Sequence, residues 1–592
     1  MTEINTPGAE LRAGREKRGF PFSLPGAASS SRNMAAAAGI IATFFFFVLP
    51  IVKLVLLSIQ GEQGFSLNYY AELLQQERFW RTMRHTFVIV TGSTLLSVIL
   101  GMTAAWLMAY TDLSHKKWLH LLMLLCFVLP SYVLTLSWSS FMSPQGWMAV
   151  LLQWFSPGAK PLSMYSVGGI IFVMGIHHFP LVYLFTVNVL RKIPRDLEWA
   201  ASTGGAGRWK TFARITMPLA LPGVTAGGLL VFLASLDNFG IPAFLGTPVN
   251  ISVLSTLIYE EIIGFGPSAF GRGASLSVIL GLIAVVGTLL QWLSVRKSKQ
   301  AESLRADEEP RYSLGKHRYW VNPVLWGGLM FITIIPLFSM ITLSLKKSYG
   351  GKGISNLTLD NYRYILLDNP STWKSILNSL MLSMTTLIVC LIIGTLFAYF
   401  RVRRPSKINR LAELAISVPY TLPGIVFALS MILVWMEPIP GWNPGIYGTT
   451  TILFIAYVCR FLILQIRAGV TAFAQVDASM EEAARISGAG AWRRWRKILL
   501  PLLLPGLLSG ALLVFLTALT ELTVSALLYS SGSQTIGVAI FGFEQAGNTL
   551  YSTALSSLIV FLIFAGTGLL GLLQKFTFRK GVHHDYSIET GE

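Results

Sequence analysis

The run EEAARISGAGAWRRWRKILLPLLLPG, residues 481–506, sets a charged, glycine-broken stretch directly against an apolar one, and EWAASTGGAGRWKTFARITMPLALPG, residues 198–223, repeats its outline. Under one offset of 283 positions, Ala200, Ala201, Gly205, Ala206, Gly207, Trp209, Ile215, Pro218, Leu221, Pro222 and Gly223 meet identical residues. The match runs on into LLVFLASL from Leu229 against LLVFLTAL from Leu512. Upstream, VLPSYVLTLS around Pro130 fits TLPGIVFALS around Pro423, and LNYYAELL fits DNYRYILL, both at an offset of 293. The chain is therefore two copies of one unit, with ten extra residues in the first copy between Ser137 and Glu198.

The unit is a membrane unit. Of 592 residues 53% are hydrophobic and only 12% charged, with a mean hydropathy of +0.59. Stretches near the roughly 20 residues that cross a bilayer recur along the chain. In the first half they fall at about 35–59, 86–110, 118–138, 167–189, 219–239 and 274–293, and in the second at about 324–345, 377–399, 411–434, 449–466, 502–522 and 554–572. Twelve spans in two sets of six predict an all-α membrane protein, and an even number of spans per copy makes the repeats parallel, related by a pseudo-two-fold axis along the membrane normal. The expected division is a head at 1–34, a first unit at 35–293 with its polar loop at 191–217, a linker at 294–320, a second unit at 321–573 with its loop at 477–500, and a tail at 574–592. The head is too long and too far from a cleavable pattern for a signal peptide, so the first span is expected to be a permanent anchor. Cys126, Cys390 and Cys459 lie in apolar spans and suggest packing, with no disulfide framework or metal cluster.

A net charge of +18 invites a nucleic-acid partner, but the placement of the charge argues against one. With the amino terminus inside, 34 of the 46 lysines and arginines fall in inner segments, which is the bias of cytoplasmic loops. The expectation is a bacterial inner-membrane, multi-pass protein in contact with lipid, both termini and both polar loops in the cytoplasm.

The second loop reads Glu482-Ala483-Ala484, three residues, Gly488, nine residues, Ile498, one residue, Leu500-Pro501. This resembles the EAA loop of permeases of ATP-binding-cassette importers. The resemblance implies a helix, a turn and a second helix that dock in an ATPase subunit, with Glu198, Ala200, Ala201 and Gly205 in the first copy and Glu481, Glu482, Ala483, Ala484 and Gly488 in the second as coupling residues. Ser479 and Glu482 have capping-box spacing, Gly488 and Gly490 permit the turn, and Trp492, Trp495 and Leu499 share one helical face. Pro501 and Pro505 are expected to open the following span. The first copy departs from the pattern, with Trp199 in the glutamate's place and Met217 in the leucine's, so the second loop is expected to dominate.

The resemblance also implies ATP and magnesium on a separate ATPase, two copies of it below the two loops, and an external solute-binding protein that delivers cargo; no cofactor is expected on this chain. The one phosphate-loop lookalike, GGAGRWKT from Gly204, has Trp209 where GxxxxGK[ST] needs glycine. No HExxH and no ordered Ser/His/Asp set appears, so an enzyme is not expected. Gly223-x-x-x-Gly227 and Gly506-x-x-x-Gly510 suit either close helix packing or spans lining the axis. His177 and Arg460 coincide under the 283 offset, each within a span, and are candidates for the translocation path. By residue counting, Arg460 lies about 10 Å from the inner end and Glu521 about 24 Å past Pro505, which predicts different depths and an arginine snorkelling inward. Asp237 and Glu521 are expected near the outer end, making an acidic mouth that suits cationic cargo. The competing class is a twelve-span secondary transporter, which is also built of two six-span halves. Together with DNFGIPAFLG from Asp237 and TELTVSALLYSSGSQTIGVAIF from Thr520, the fused pair is similar to permeases of the ferric iron group. Fused chains of this kind also serve 2-aminoethylphosphonate, and polyamine and thiamine permeases are more distant relatives.

Overall fold

A computed structural model describes residues 34, 37–61, 64–156, 158–264, 266, 268–296, 307, 309–349, 356–436 and 445–585. Residues 1–33 of the head, 297–306 and 308 of the linker and the last residues of the tail lie outside that set. The first half comprises α1 (Ala37–Ser58), α2 (Glu77–Tyr110), α3 (Lys116–Val128), α4 (Ser131–Phe141), α5 (Val167–Leu190), α6 (Arg195–Thr203), α7 (Arg208–Asp237), α8 (Gly240–Leu245), α9 (Leu254–Ile263) and α10 (Ala269–Arg296). The second repeats the order as α11 (Gly315–Ser344), α12 (Pro370–Arg403), α13 (Lys407–Thr421), α14 (Gly424–Trp435), α15 (Thr450–Gln475), α16 (Ala478–Ile486), α17 (Ala491–Leu519), α18 (Ser525–Leu528), α19 (Ile536–Gln545) and α20 (Thr549–Asp585). A two-stranded hairpin, Gln60–Gly61 with Gly64–Phe65, follows α1. The ten extra residues of the first half hold a short helix, Trp147–Phe155.

Among the described residues ten helices are long and apolar enough to cross a membrane unbroken, and two further predicted spans are broken ones. The spans expected at 118–138 and 411–434 bend by 99° between α3 and α4 and by 110° between α13 and α14. The cause is local. Leu129 and Leu422 each precede a proline, whose ring pushes the preceding residue out of the helical region, and they have ψ of 132° and 147°. A second correction concerns the polar loops: α7 and α17 begin at Arg208 and Ala491, so Pro218 and Pro501 lie inside continuous helices and do not open the spans. Each is preceded by a π-helical turn, Phe212–Thr216 and Trp495–Leu499, and the same device precedes Pro50 and Pro336, at Phe44–Val48 and Met330–Ile334. Proline removes a backbone donor and crowds the carbonyl four residues back, and a widened turn relieves the clash without ending the helix. Finally, α8 with α9 forms a bent pair, at 72°, that the sequence reading did not separate from its loops.

Within each half the third long helix packs along the second: α5 lies on α2, and α15 on α12. The small residues of the fifth and eleventh predicted spans serve a second set of contacts, of α7 with α5 and of α17 with α15. A Cβ on Gly227 would sit 2.8 Å from Val182 Cα in α5, and one on Gly510 would sit 2.5 Å from Ala468 Cβ in α15. Both GxxxG stripes are thus packing faces within a half and do not line the axis. The halves interlock by exchange. The end of α1 packs on α14 of the other half, with Phe45 and Phe46 against Trp435, while α11 packs on α4, where Trp138 Nε1 donates to the Ile332 carbonyl at 3.3 Å. One buried cluster draws residues from both halves, among them Leu129, Tyr132, Phe239, Ile425, Leu522 and Phe541.

Candidate functional site: the duplicated loop and a charged layer between the halves

Each polar loop is a short helix, a turn and the start of a long helix. The turns are alike: Gly205 and Gly488 both have φ of +77°, a left-handed conformation that costs a side-chain-bearing residue about 1–2 kcal/mol. Around them the side chains sort into two faces. Trp209 and Trp492, at matching positions, are both 78% exposed, and Trp199, Glu482 and Ile486 also point outward. The opposite face of each loop holds one glutamate against the body of the protein, and these are Glu198 and Glu481, which match under the 283 offset. Glu482 and Trp199, which differ at the matching position, share the exposed face instead.

The two anchoring glutamates use different partners. Glu481 accepts from Arg403 Nε at 2.6 Å, and Arg403 also donates to the Val476 carbonyl at 2.9 Å. Arg403 ends α12; the matching end of α2 is Tyr110, whose hydroxyl donates to Glu198 at 2.9 Å. Thr216 donates to the same oxygen at 2.8 Å, and Arg311 from the linker stands 3.1 Å from the other. The helix start also differs from expectation. Ser479 is not the cap: Asp477 is, its side chain accepting from the Ser479 N–H at 3.0 Å, while α6 starts from Pro194 with no side-chain cap. That hydrogen bond holds the Asp477 carboxyl below the usual carboxylate range. Of the three residues expected on one face, Trp495 packs on Tyr399 and Phe473 and Leu499 is buried, whereas Trp492 faces away.

Inside the membrane, the structure brings together Asp237, Arg460 and Glu521. Arg460 Nη2 lies 2.8 Å from Asp237 Oδ2, its side chain only 6% exposed, and Nη1 donates to the Leu422 carbonyl at 3.3 Å. Asp237 also accepts from the Gly424 N–H, the first donor of α14. The break before Gly424 frees backbone groups that lipid cannot satisfy, and a cross-half ion pair satisfies them. Glu521 accepts from the Val524 N–H at 2.8 Å and lies within electrostatic range of both Arg460 and Asp237. This overturns one expectation: Arg460, near the middle of α15, does not snorkel to the loop side but joins the first half to the second through Asp237. The depth count failed because it ended the span of Arg460 near residue 466, whereas α15 runs on to Gln475 and leaves Arg460 about 22 Å from that end. His177 does not join the layer. Its Nδ1 lies 2.9 Å from the Cys126 carbonyl at the equivalent break in the first half, and its ring packs on His178.

Two residues beyond Asp237, Phe239 contacts Phe541 of the other half at a ring separation of 5.8 Å, and Tyr259 joins both. These rings border a cavity of about 520 Å³ lined by α9 and α19, with Glu260, Tyr529, Gln534 and Gln545 on its wall. Sequence reasoning missed this cavity because no pattern places α9 opposite α19.

Two stretches, residues 97–300 and 390–579, match the family profile described as binding-protein-dependent transport system inner membrane component. They begin 293 positions apart, the offset of the upstream repeat. The chain belongs to this family, which decides against the secondary-transporter class. A putative ferric transport system permease protein of Haemophilus influenzae, FbpB 1, is 25% identical over 507 residues, which are 81% of this chain and 76% of the relative. The spermidine/putrescine transport system permease protein PotB of Salmonella typhimurium is 25% identical over 225 residues, 38% of this chain and 78% of the relative. Among solved structures, a chain from the crystal structure of a bacterial alginate ABC transporter in complex with an alginate pentasaccharide-bound periplasmic protein aligns at 18% identity and a TM-score of 0.38, over 46% of this chain and 98% of that one.

Proposed function

We propose that this permease imports a small cation, ferric iron first, and that its two duplicated loops dock in a separate ATPase. The observation that carries the reading is the two-faced loop, present twice: one glutamate ties each loop to the membrane helices, and the face with Trp209 or Trp492 is left open for a partner. A pseudo-two-fold pair of such faces suits a homodimer of ATPase subunits, where ATP and magnesium bind; the chain itself is no enzyme and carries no cofactor. Lysine and arginine placement supports a cytoplasmic position for the loops, and with them for both termini. The cavity between α9 and α19 then opens toward the external face, where a binding protein delivers the cargo.

In this reading the ring contact of Phe239 with Phe541 and the Asp237–Arg460 pair close the path. Because α7 and α17 run unbroken from the loops to the charged layer, motion of the ATPase reaches Asp237 through one rigid element. Arg460 acts as a resident counter-charge: when α7 moves away from α15, Asp237 and Glu521 become available to an incoming cation, and the arginine's return expels it inward. The relative's name favours ferric iron, over a match that spans most of both chains. The shorter match to a polyamine permease favours a second cationic cargo, spermidine or putrescine.

The test is reconstitution in vesicles with the cognate ATPase and loaded binding protein. Uptake should require ATP, and replacing both Asp237 and Glu521 by their amides should lower it at every cargo concentration. Uptake indifferent to ATP, or to the amide variants, removes the corresponding half of the proposal.

A further inference from the structure

The repeat predicts that Glu198 should have an arginine at the end of α2, because Glu481 has Arg403 there; the chain places Tyr110 at that position instead. The missing charge arrives from the linker. Arg311 Nη1 lies 3.1 Å from Glu198, its guanidinium stands 4.6 Å over the Tyr110 ring, and Nη2 donates to the Ile193 carbonyl beside α6. Arg311 and Glu198 have side chains only 6% and 10% exposed. The linker is fastened on both sides of this contact. Before it, Asp307 pairs with Arg195 of α6, and the Asp307 N–H donates to the Arg191 carbonyl at 2.8 Å. At and after it, the Arg311 and Tyr312 N–H groups share the Tyr110 carbonyl at 2.9 and 2.8 Å, and the Leu314 N–H donates to Asp112 at 2.8 Å.

We infer that Arg311 is a positioning residue for the first loop: the linker supplies in trans to the repeat the charge that Arg403 supplies to the second loop from its own helix. The inference rests on the reading of the loops as docking elements. A buried carboxylate facing only two hydroxyls would be an uncompensated charge, and α6, which lacks a side-chain cap, would lose its tie to α2. A linker that merely joined two halves would need no such contact. The linker also forms a wall of a polar cleft of about 340 Å³ with Trp199 and Arg208, so a partner seated on the first loop meets it.

The decisive variants are Arg311→Ala and Arg311→Ala with Tyr110→Arg, the second of which rebuilds in the first half the Arg403–Glu481 arrangement. In the purified permease without its ATPase, hydrogen exchange of α6 should rise at least tenfold in the single variant and return to within threefold of the parent in the double variant. With ATPase and binding protein, stimulated hydrolysis at equal permease content should follow the same pattern. If the single variant leaves both unchanged, or if the double variant exchanges as fast as the single one, the positioning role is wrong. Should the single variant fail to accumulate, the double variant alone decides: it must accumulate and protect α6. Protection that follows the pattern while hydrolysis does not would retain Arg311 as the tie of α6 and reject the loop as the docking element.

Discussion

The two halves carry the same ten helices in the same order, yet they solve the same two local problems with different residues. At the broken span, the first half settles a backbone carbonyl with an imidazole, His177 on Cys126, while the second uses the charge of Arg460 and must borrow Asp237 from the first half to balance it. At the loop, the second half anchors its glutamate with its own Arg403, while the first half borrows Arg311 from the linker. In each case, the copy that cannot complete a buried charge within itself reaches into a neighbouring segment. Duplication supplied the scaffold, and the charges that differ between copies are what make one chain of the two.

The comparison breaks most visibly at Arg460. Arg460→Ala strands Asp237, whose side chain is 37% exposed, and frees the Leu422 carbonyl, and losing hydrogen bonds to a charged group costs about 2–3 kcal/mol. His177→Ala loses one neutral hydrogen bond, about 1 kcal/mol. Thermal unfolding of the purified permease should fall far more for the first than the second, and uptake should be abolished only by the first. Equal losses would mean that the cross-half pair is no more than a local repair of the break.

The loops should respond less. Valine at Gly205 or Gly488 imposes the same backbone strain, about 1–2 kcal/mol, since φ is +77° at both. The first loop is held in addition by Asp307 and Arg311, whereas the second has Arg403 and its Asp477 cap. Gly488→Val should therefore lower stimulated ATP hydrolysis about tenfold, and Gly205→Val about threefold, at matched membrane content. A larger loss at Gly205 would reverse the order of the loops.

What the sequence made legible follows from what a periodic pattern can encode. Spans, repeat, parallel topology and the two loops were all visible because apolar runs and the spacing of Gly205, Pro218, Gly488 and Pro501 are properties of the chain itself. The breaks at Pro130 and Pro423 were visible only as motifs; a proline there bends the span by about 100°, while Pro218 and Pro501, each after a π-helical turn, leave theirs continuous. Arg460 with Asp237, and Arg311 with Glu198, could not be read at all. Each pair joins residues more than a hundred positions apart that no offset of the repeat brings together, and residue counting failed for Arg460 because it ended that span near residue 466, whereas the helix runs to Gln475.

The smallest effect separates the two loops by acid. Asp477 is held below the usual carboxylate range by the Ser479 N–H. For Asp307, burial pushes upward, but the hydrogen bonds from Arg195 and the Glu309 N–H and the charges of Arg195 and Arg311 outweigh it, so this carboxyl is also held low. A carboxylate whose folded value is depressed contributes order that is complete above its unfolded value, near 4, and is lost as the pH falls through the folded value. Acidification below about pH 4 should thus loosen α16 through its cap and α6 through its linker clamp, each by a few-fold in hydrogen exchange. The routes are separable. Asn at position 477 still accepts the cap hydrogen bond but does not titrate, so Asp477→Asn should flatten the pH response of α16 and leave that of α6; Asp307→Asn should do the reverse. If either variant flattened both, the two loops would share one acid-sensitive element, and the independent anchoring of the halves would be wrong.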